Sequence, residues 1–356
     1  MLFRVRYLAI FVVLITMLAA GCSSQDNSGS TQTGNDKDGG KANSSSGKQT
    51  ELVMGTSSSG SSVQIMAIGM SDLISKQAGI NTRAQSSGGS TATIQAIGAD
   101  KIHFGLSSSP AVYFASRGQY IYKNKPISLE VLFGASTPEP RQIVYRPSKI
   151  KNPADFAGKK YMGKRSSLQD ITLFSQAFVE AYEVDQSKIE MIDVTSTKEA
   201  TKALVAGTVD AATLPGGLGS APITEAFENA DLSFVNFTED KLKIILEKMG
   251  PSYSTAHIPK GTYKGQDEDI LTPGTTTMMV TKKGALTEES AYAITKVLWE
   301  NQDKLEAMHS SGWNWLAEDG KVPLMPVPYH EGSVKYFKEK GLWTDELQAN
   351  QEKMAK

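Results

Sequence analysis

Segments with β-strand character alternate with segments of helical period along most of this chain. The strand-like segments ELVMG, NTRAQS and IHFGLSS are separated by predicted helices near residues 62–77 and 91–98. This alternation predicts an α/β fold, in which a mainly parallel sheet is covered by helices. Ligands of such sheets bind beyond the carboxyl ends of the strands, where the loops that lead into the helices converge. The loops after these strands are therefore the first candidates for a binding site.

The loop after the first strand, GTSSSGSS, has the glycine spacing of a phosphate-binding loop but not its chemistry. Gly55 and Gly60 stand at the right separation, but Ser61 occupies the position of the lysine in G-x-x-x-x-G-K-[ST]. The loop therefore lacks the charge that holds the outer phosphates of a nucleotide. Backbone N–H groups, hydroxyls and the positive end of a helix dipole remain, and the dipole stabilises an anion by roughly 0.5 to 2 kcal/mol. This predicts a site for a single carboxylate, and the alternative is a simple helix N-cap with a flexible turn.

Two further loops repeat this chemistry after the next two strands. SSGGST, residues 86–91, has two glycines that permit a tight turn, and Ser90 or Thr91 is predicted to cap the following helix. SSSP follows the third strand. Because the carboxyl ends of parallel strands lie at one edge of a sheet, we expect Thr56 and Gly89 to lie close together, with two helix amino ends directed at one spot.

Other candidate contacts come from later in the chain. Lys164 and Arg165 precede two serines, and an arginine can hold a second ligand carboxylate through two parallel hydrogen bonds, although a surface pair is an equally open interpretation. Tyr253 flanks a loop, where its ring can form the wall of a pocket and its hydroxyl can bond a ligand. The predicted ligand-binding residues are Gly55, Thr56, Ser57, Ser59, Ser61, Ser62, Ser87, Gly88, Gly89, Ser90, Ser107, Ser108, Arg165, Ser166, Ser167, Pro215, Gly216 and Tyr253.

A weak internal repeat indicates two similar halves. STATIQAIGADKIHFGL, which begins at Ser90, aligns with TKEATKALVAGTVDAAT, which begins at Thr197. Each copy reads as a helix, a turn of small residues and a strand, and each ends in a loop of small residues, SSSP in one and PGGLGS in the other. Two α/β lobes that face one another would explain the repeat, and chance similarity between two helix–strand units is the alternative.

There is little sign of catalysis, metal binding or nucleic-acid binding. The four histidines are scattered, without the close spacing of a metal-ligand pair, and no G-x-S-x-G motif surrounds the serines. The formal net charge is −1, whereas a nucleic-acid surface needs a clustered basic face. We therefore expect a protein that is not an enzyme and has no cofactor, metal or nucleic-acid partner. A secreted α/β hydrolase whose serine meets its partners only in space stays open as an alternative.

The amino-terminal segment is typical of an export signal. Arg4 and Arg6 precede an apolar run over residues 7–20, which ends at Gly21 and Cys22. LAAGC resembles a bacterial lipobox, and this resemblance implies that Cys22 is lipidated and becomes the first mature residue. The alternatives are an uncleaved anchor helix or a free thiol.

The predicted organisation of this end follows from that signal. Residues 1–21 form the signal peptide, and residues 22–49 form a Ser/Gly-rich tether too polar to bury a core. The protein is then expected to be extracytoplasmic and held on the membrane by the lipid on Cys22.

Several longer segments resemble the TAXI-type solute receptors of TRAP transporters. MGTSSSG, SSGGST and ALVAGTVDAATLPGG are similar to three loop-forming segments of that family, and IPKGTYKGQDEDILT and PVPYHEGSVKYFKEKGLW are similar to two longer ones. The resemblance runs from Glu51 to about Trp343. The first loop has more serine and less glycine than is usual for the family, which indicates that side-chain hydroxyls hold the ligand and makes the usual acidic ligands less certain.

The resemblance implies a two-lobed fold of the type II periplasmic-binding-protein kind with a ligand cleft between the lobes. Lobe one is expected at residues 50–145 plus 273–356 and lobe two at residues 146–272, with hinges near Arg146 and Leu271. It also implies that the lobes close over a ligand and that a TRAP-type permease in the membrane recognises the closed form.

The resulting hypothesis is a membrane-tethered receptor that delivers a small organic anion, a carboxylate or an amino acid such as glutamate, to a TRAP permease. A sensor lipoprotein of the same fold that has lost transport is a further alternative. Replacing Ser57, Ser59 and Ser90 by alanine is expected to weaken ligand binding without loss of the fold.

Overall fold

The computed structural model describes residues 47–309 and 311–356, which belong to one compact unit. The predicted signal peptide, Cys22 and residues 22–46 of the predicted tether lie outside the described residues. Lys48 and Gln49, which were also predicted in the tether, instead contact the folded body. The Lys48 ammonium donates to the Ala78 carbonyl at 2.7 Å, and the Gln49 N–H donates to Ser290 Oγ at 2.8 Å. No helix in the described part of the chain has the length and apolar character to cross a membrane.

Strands and helices alternate over much of the described chain, as predicted. The strands are β1 Glu51–Thr56, β2 Asn81–Ser86, β3 Phe104–Ser108, β4 Leu129–Gly134, β5 Glu139–Tyr145, β6 Lys160–Lys164, β7 Glu190–Asp193, β8 Ala211–Pro215, β9 Ser233–Phe234, β10 Ser254–Ile258, β11 Ile270–Thr275 and β12 Thr277–Lys282. The α-helices are α1 Ser62–Ala78, α2 Ser90–Gly98, α3 Ser109–Ser116, α4 Gln169–Ala181, α5 Thr197–Ala206, α6 Ala221–Asn229, α7 Glu239–Met249, α8 Glu288–Trp299, α9 Gln302–Met308, α10 Glu331–Glu339 and α11 Asp345–Met354. The alternation is interrupted, because β4–β6 and β10–β12 are runs of strands and α8–α11 are a run of helices.

The strands form two sheets. Sheet one has the order β2-β1-β3-β12-β4, and sheet two has the order β10-β11-β5-β8-β6-β7, with β9 also paired to β5. In sheet one β1 is parallel to β2 and β3, and β12 is antiparallel to β3 and β4. In sheet two β6 is parallel to β7 and β8, and β5 is antiparallel to β8 and β11. Both sheets are therefore mixed rather than mainly parallel as predicted.

The two sheets share one local topology, which accounts for the internal repeat. In each, a central strand is parallel to the two strands that follow it in the chain, and the third of these lies against an antiparallel strand. The first copy of the repeat is α2 and β3 in sheet one, and the second copy is α5 and β8 at the equivalent place in sheet two. The sequence similarity therefore marks equivalent units in two similar halves.

The chain passes between the sheets just before β5 and again between β11 and β12. Residues 139–145 were predicted in lobe one, but as β5 they pair with β8, β9 and β11 of sheet two. The physical reason is burial on both faces: Ile143 and Val144 point to opposite sides of the strand and pack into two different cores of sheet two. We therefore propose that the hinge lies at residues 135–138 and at Thr276 rather than near Arg146 and Leu271.

Each sheet has apolar cores on both faces, and α3 connects the halves. Val112 of α3 packs into a core of sheet one, whereas Phe114 packs into a core of sheet two. Ser109, the first residue of α3, also donates to the Ser252 carbonyl at 2.6 Å and accepts from the Thr276 N–H at 3.1 Å. The helix therefore joins both sheets beside the second chain crossing.

The long segment IPKGTYKGQDEDILT forms a loop held by one buried side chain. The Gln266 side-chain oxygen accepts from the Tyr263 N–H, and its Nε2 shares its two hydrogens among three carbonyl oxygens at 2.8–3.1 Å, those of Ile258, Pro259 and Glu268. Since one side chain contacts four backbone groups, Gln266 has a structural role in this loop.

Candidate functional site

The loops after β1 and β2 converge, as predicted. Thr56 pairs with Ser86 at the ends of these parallel strands, and the Ser87 N–H donates to the Thr56 carbonyl at 2.8 Å. The Thr93 hydroxyl lies 3.5 Å from the Thr56 carbonyl oxygen and 3.1 Å from that of Gly89. Thr56 and Gly89 are therefore brought to one spot at the edge of sheet one.

The loop after β3 joins the same spot through Ser90. The Ser90 hydroxyl accepts from the Ser108 N–H at 2.9 Å, and the Ser107 hydroxyl donates to the Ser90 carbonyl at 3.4 Å. Within the described residues, the buried Ser108 hydroxyl has no hydrogen-bond partner. All three predicted loops of sheet one thus lie together.

Two helices begin at this edge of sheet one: α1 has a side-chain cap, whereas α2 lacks the cap that was predicted for it. Ser61 caps α1, since its hydroxyl accepts from the Gln64 N–H at 3.2 Å. The N-cap of α2 is Gly89, with no side-chain cap, so the prediction that Ser90 or Thr91 caps this helix was wrong. Both hydroxyls are engaged elsewhere, and the amino end of α2 lacks a side-chain acceptor as a result.

The loop after β6 of sheet two closes against these loops. Arg165 Nη2 donates to Ser58 Oγ at 3.3 Å, and the Gln169 N–H donates to Thr91 Oγ1 at 3.0 Å. Gly89 packs so tightly on the backbone of Ser167 that a Cβ placed on Gly89 would lie 2.3 Å from the Ser167 carbonyl oxygen. We call the surface between these loops the cleft, and in this structure its two sides touch.

A buried group of charges lies on the sheet-two side of the cleft. We define the charge cluster as Glu139, Arg141, Arg165, Asp170 and Tyr253. Arg141 Nε donates to Asp170 Oδ2 at 3.2 Å, and their side chains are only 4% and 0% exposed. The Tyr253 hydroxyl lies 3.3 Å from the same oxygen.

Burial determines the electrostatics of this cluster. It raises the pKa of the Asp170 carboxyl, and the neighbouring Arg141 charge offsets part of that shift. For the Arg141 guanidinium, burial lowers the pKa, but the nearby Asp170, Tyr253 and Glu139 raise it by more. The pKa of Arg141 is therefore above its ordinary value. Arg141 and Asp170 therefore stabilise each other as a charged pair.

Arg165 carries a buried positive charge that this pair does not neutralise. Within the described residues it forms no ion pair within 4.0 Å, and its Nε has no hydrogen-bond partner. Burial lowers the pKa of its guanidinium; the charge of Asp170 opposes this shift and that of Arg141 adds to it. The arrangement leaves donor capacity for an anion at the point where the Ser58 loop meets sheet two.

Sequence reasoning did not identify Glu139 or its neighbour Asn314. Glu139 begins β5 and lines a cavity of ≈ 10 Å³, about the room for one water, together with Val63, Met66, Thr277, Ser311 and Trp315. The Asn314 amide lies against the Glu139 carboxyl. The motif EPR, with two charged residues at the start of β5, could have pointed to Glu139, whereas no local signal points to Asn314.

The remaining predicted residues divide between the cleft and other roles. Ser57, Ser87, Gly88 and Ser167 belong to the converging loops, and Tyr253 belongs to the charge cluster. Pro215 ends β8 and Gly216 follows it, and Gln142 Nε2 of β5 donates to the Gly216 carbonyl at 3.0 Å. Ser62 is half-buried at the start of α1.

The surroundings of three further predicted residues differ from one another. Ser59 is exposed. The Ser166 hydroxyl donates to Asp193 at 2.7 Å on the surface. Gly55 is constrained by packing, because a Cβ there would lie 2.2 Å from Ile102 Cδ1.

The model of the NMT1-like family matches residues 54–341, which include both sheets and both chain crossings. The chain belongs to the NMT1-like family. A solved structure of a periplasmic transporter is similar to this NMT1-like chain with a TM-score of 0.50 and 13% identity, over 87% of this chain and 97% of that one. At this identity the likeness concerns the fold alone. This NMT1-like protein therefore shares a two-lobed α/β fold with that periplasmic transporter, and sheet one and sheet two are the centres of the lobes.

Two more distant structures are also similar. The alkanesulfonate-binding protein SsuA from Xanthomonas axonopodis pv. citri, bound to MOPS, has 13% identity and a TM-score of 0.46, over 86% of this chain and 94% of that one. An ancestral arginine-binding protein bound to arginine has 16% identity and a TM-score of 0.45, over 76% of this chain and all of that one.

Proposed function

We propose that this NMT1-like protein is an extracytoplasmic solute receptor that binds a small organic anion in the cleft. The observation that carries the proposal is Arg165, a buried guanidinium with an unpartnered Nε at the meeting point of the two lobes. A carboxylate or sulfonate placed there receives charge-assisted hydrogen bonds and replaces the weaker contact with Ser58. The uncapped amino end of α2, close by, adds backbone donors and a favourable dipole.

The proposed mechanism is closure of the lobes about the hinge. In the open form the loops of sheet one and the loop after β6 are separated and accessible. An anion that contacts both sides stabilises the closed form by its extra affinity for that form. Closure brings Gly89 onto Ser167, so the absence of a side chain at Gly89 sets how near the lobes can approach.

The proposed partners extend beyond the ligand. We propose that the closed form delivers its ligand to a TRAP-type permease, and that a lipid on Cys22 holds the protein at the outer face of the membrane. The resemblance of the five sequence segments to TAXI-type receptors supports the permease, and the LAAGC motif supports the lipid. Purification of the protein with its permease, and mass spectrometry of the lipidated amino-terminal peptide, test these two partners separately.

The ligand is tested directly by mass spectrometry of small molecules released from the purified protein. Thermal denaturation with L-glutamate, glutarate, taurine and ethanesulfonate then measures saturable stabilisation, which reaches about 2.7 kcal/mol at a ligand concentration of 100 Kd. A receptor returns the ligand unchanged. Release of no anion together with no stabilisation by any probe contradicts the proposal, and conversion of a probe to a product favours the hydrolase.

Replacing Arg165 by methionine is expected to weaken anion binding about 10- to 150-fold. Hydrogen bonds to charged groups contribute about 1.5–3 kcal/mol, and 1.4 kcal/mol corresponds to a factor of ten in Kd. Calorimetric titration with the anion identified above provides the measurement. Lys164→Met is the matched control, because it removes a positive charge from the neighbouring position, which is only half-buried. Equal losses in the two variants would mean that general electrostatic attraction, rather than contact with Arg165, holds the ligand.

A further inference from the structure

Glu139 is a buried carboxyl that the anion site does not use. It is 8% exposed and, within the described residues, forms no ion pair within 4.0 Å. Arg141, whose charge acts on Glu139, directs its Nε to Asp170 instead. A buried carboxylate without a dedicated cation is energetically costly unless a positive group joins it.

The groups around Glu139 have hydrogen-bonding capacity that the protein leaves unused. Asn314 is 1% exposed, and neither its amide oxygen nor its amide nitrogen has a partner of good hydrogen-bonding geometry within the described residues. The backbone of Asn314 is held in place, because its carbonyl accepts from the N–H groups of Ser136 and Thr137 at the first chain crossing. The Asn314 amide nitrogen lies on the side of the Glu139 carboxyl, and the buried amide oxygen is left as an acceptor without a donor in the described part of the chain.

The size of the cavity at Glu139 restricts what can enter it. Its volume of ≈ 10 Å³ accommodates a group about as large as one water, and Val63, Met66 and Trp315 provide apolar walls. Gly217 closes another side, since a Cβ there would lie 2.7 Å from Ser311 Cβ and 3.5 Å from Glu139 Oε1. An ammonium group fits these limits in size and in charge.

We propose that Glu139 and Asn314 form a second subsite of the cleft, which takes the ammonium group of a zwitterionic ligand whose anionic group is held at Arg165. This inference rests on the proposed receptor function. The Arg141–Asp170 pair interacts electrostatically with both Glu139 and Arg165 and so links the two subsites. The cleft then carries a positive and a negative group, which match an amino acid or an aminosulfonate and disfavour an anion that lacks an ammonium group.

The ionisation of Glu139 agrees with this role. Burial raises the pKa of its carboxyl, and the Arg141 charge and the Asn314 amide offset only part of the shift. A bound ammonium supplies the missing opposite charge, so it favours the ionised carboxylate.

Matched pairs of probes test the subsite. L-glutamate and glutarate differ by one amino group, as do taurine and ethanesulfonate, and calorimetric titration of the wild-type protein gives Kd for each. We expect the amino member of at least one pair to bind at least tenfold tighter than its partner. Tighter or equal binding of the member without the amino group, in every pair that binds, would overturn the subsite and leave the anion receptor intact.

Two variants locate the effect at Glu139 and Asn314. Glu139→Gln and Asn314→Leu are each expected to weaken binding of the amino member at least tenfold and to change binding of its partner less than threefold. Glu190→Gln, an exposed glutamate on β7 of the same sheet, is the control and is expected to leave both members unchanged. Equal weakening of both members by the two cleft variants overturns the subsite.

Measurements on the wild-type protein test the subsite even if the variants do not fold or the probes do not bind. If neither variant folds, the wild-type ratio for each pair still decides the inference. If none of the four probes binds, the ligand released from the purified protein decides it: a ligand with an amino group supports the subsite, and one without an amino group overturns it. Release of no ligand at all contradicts the proposed function itself, and the subsite with it.

Discussion

Replacing Asp170 by alanine is expected to lower the free energy of unfolding by about 3–5 kcal/mol, because it leaves the Arg141 guanidinium charged, buried and without its partner. The side chains of Asp170 and Arg141 are 0% and 4% exposed, so water cannot compensate for the lost contact. The Tyr253 hydroxyl loses its acceptor at the same time. Urea denaturation of the purified protein, followed by circular dichroism, measures the change.

The matched control is a surface ion pair in the same protein. Asp72 and Lys76 are 58% and 72% exposed, so Asp72→Ala is expected to change the unfolding free energy by less than about 1 kcal/mol. The double variant Arg141→Met with Asp170→Leu removes both charges and is expected to recover much of the loss. A small effect of Asp170→Ala, comparable to that of Asp72→Ala, would show that this pair is solvated in solution.

Replacing Gly89 by alanine is expected to prevent full closure of the lobes and to weaken ligand binding at least about tenfold. The new methyl group would lie 2.3 Å from the Ser167 carbonyl oxygen and 2.9 Å from its carbonyl carbon, closer than such atoms can pack. The backbone of Gly89 has a φ of 169°, an extended conformation that alanine adopts readily, so the effect comes from the contact alone. If the closed population falls tenfold, the apparent affinity falls by the same factor.

Small-angle X-ray scattering measures this change as an increase in the radius of gyration, and calorimetric titration measures the affinity. Gly47→Ala is the control, because no atom lies within 4 Å of a Cβ at that position. An alanine variant at Gly89 with the wild-type radius of gyration and affinity would show that the contact between Gly89 and Ser167 does not accompany ligand binding. Gly88 is a poorer site for this test, since its φ of 89° would add backbone strain.

The local sequence pattern was sufficient to predict much of the fold. The alternation of strands and helices, the repeat from Ser90 and Thr197, and the meeting of the loops after β1, β2 and β3 all follow from nearest neighbours in the chain and from the geometry of parallel strands. The strand pairing was predicted less well, since β5 and β12 are antiparallel to their neighbours. A strand buried on both faces lacks the alternation of buried and exposed residues, so its sequence does not specify its partner or its orientation.

In the candidate site, too, some residues could be predicted from local sequence and others could not. The serine- and glycine-rich loops were visible because each follows its strand directly. Glu139 and Asn314 were not, because they are 175 positions apart in the sequence and meet only where the chain crosses between the sheets. The hydroxyls of Ser90 and Thr91 were visible but were assigned to the wrong partners, since a cap within the helix competes with longer-range acceptors and donors that local sequence does not reveal.

The sequence by itself determined the α/β character of this protein, its two similar halves and the hydroxyl-rich loops at the ends of its strands, because these depend on residues close to one another in the chain. Only the tertiary structure decided where the chain crosses between the sheets, that Gly89 rests on Ser167, and that Arg141, Asp170 and Glu139 are buried together beside Arg165. Charges can be buried only when distant segments supply their partners and exclude water, and that arrangement exists only after the two halves have packed.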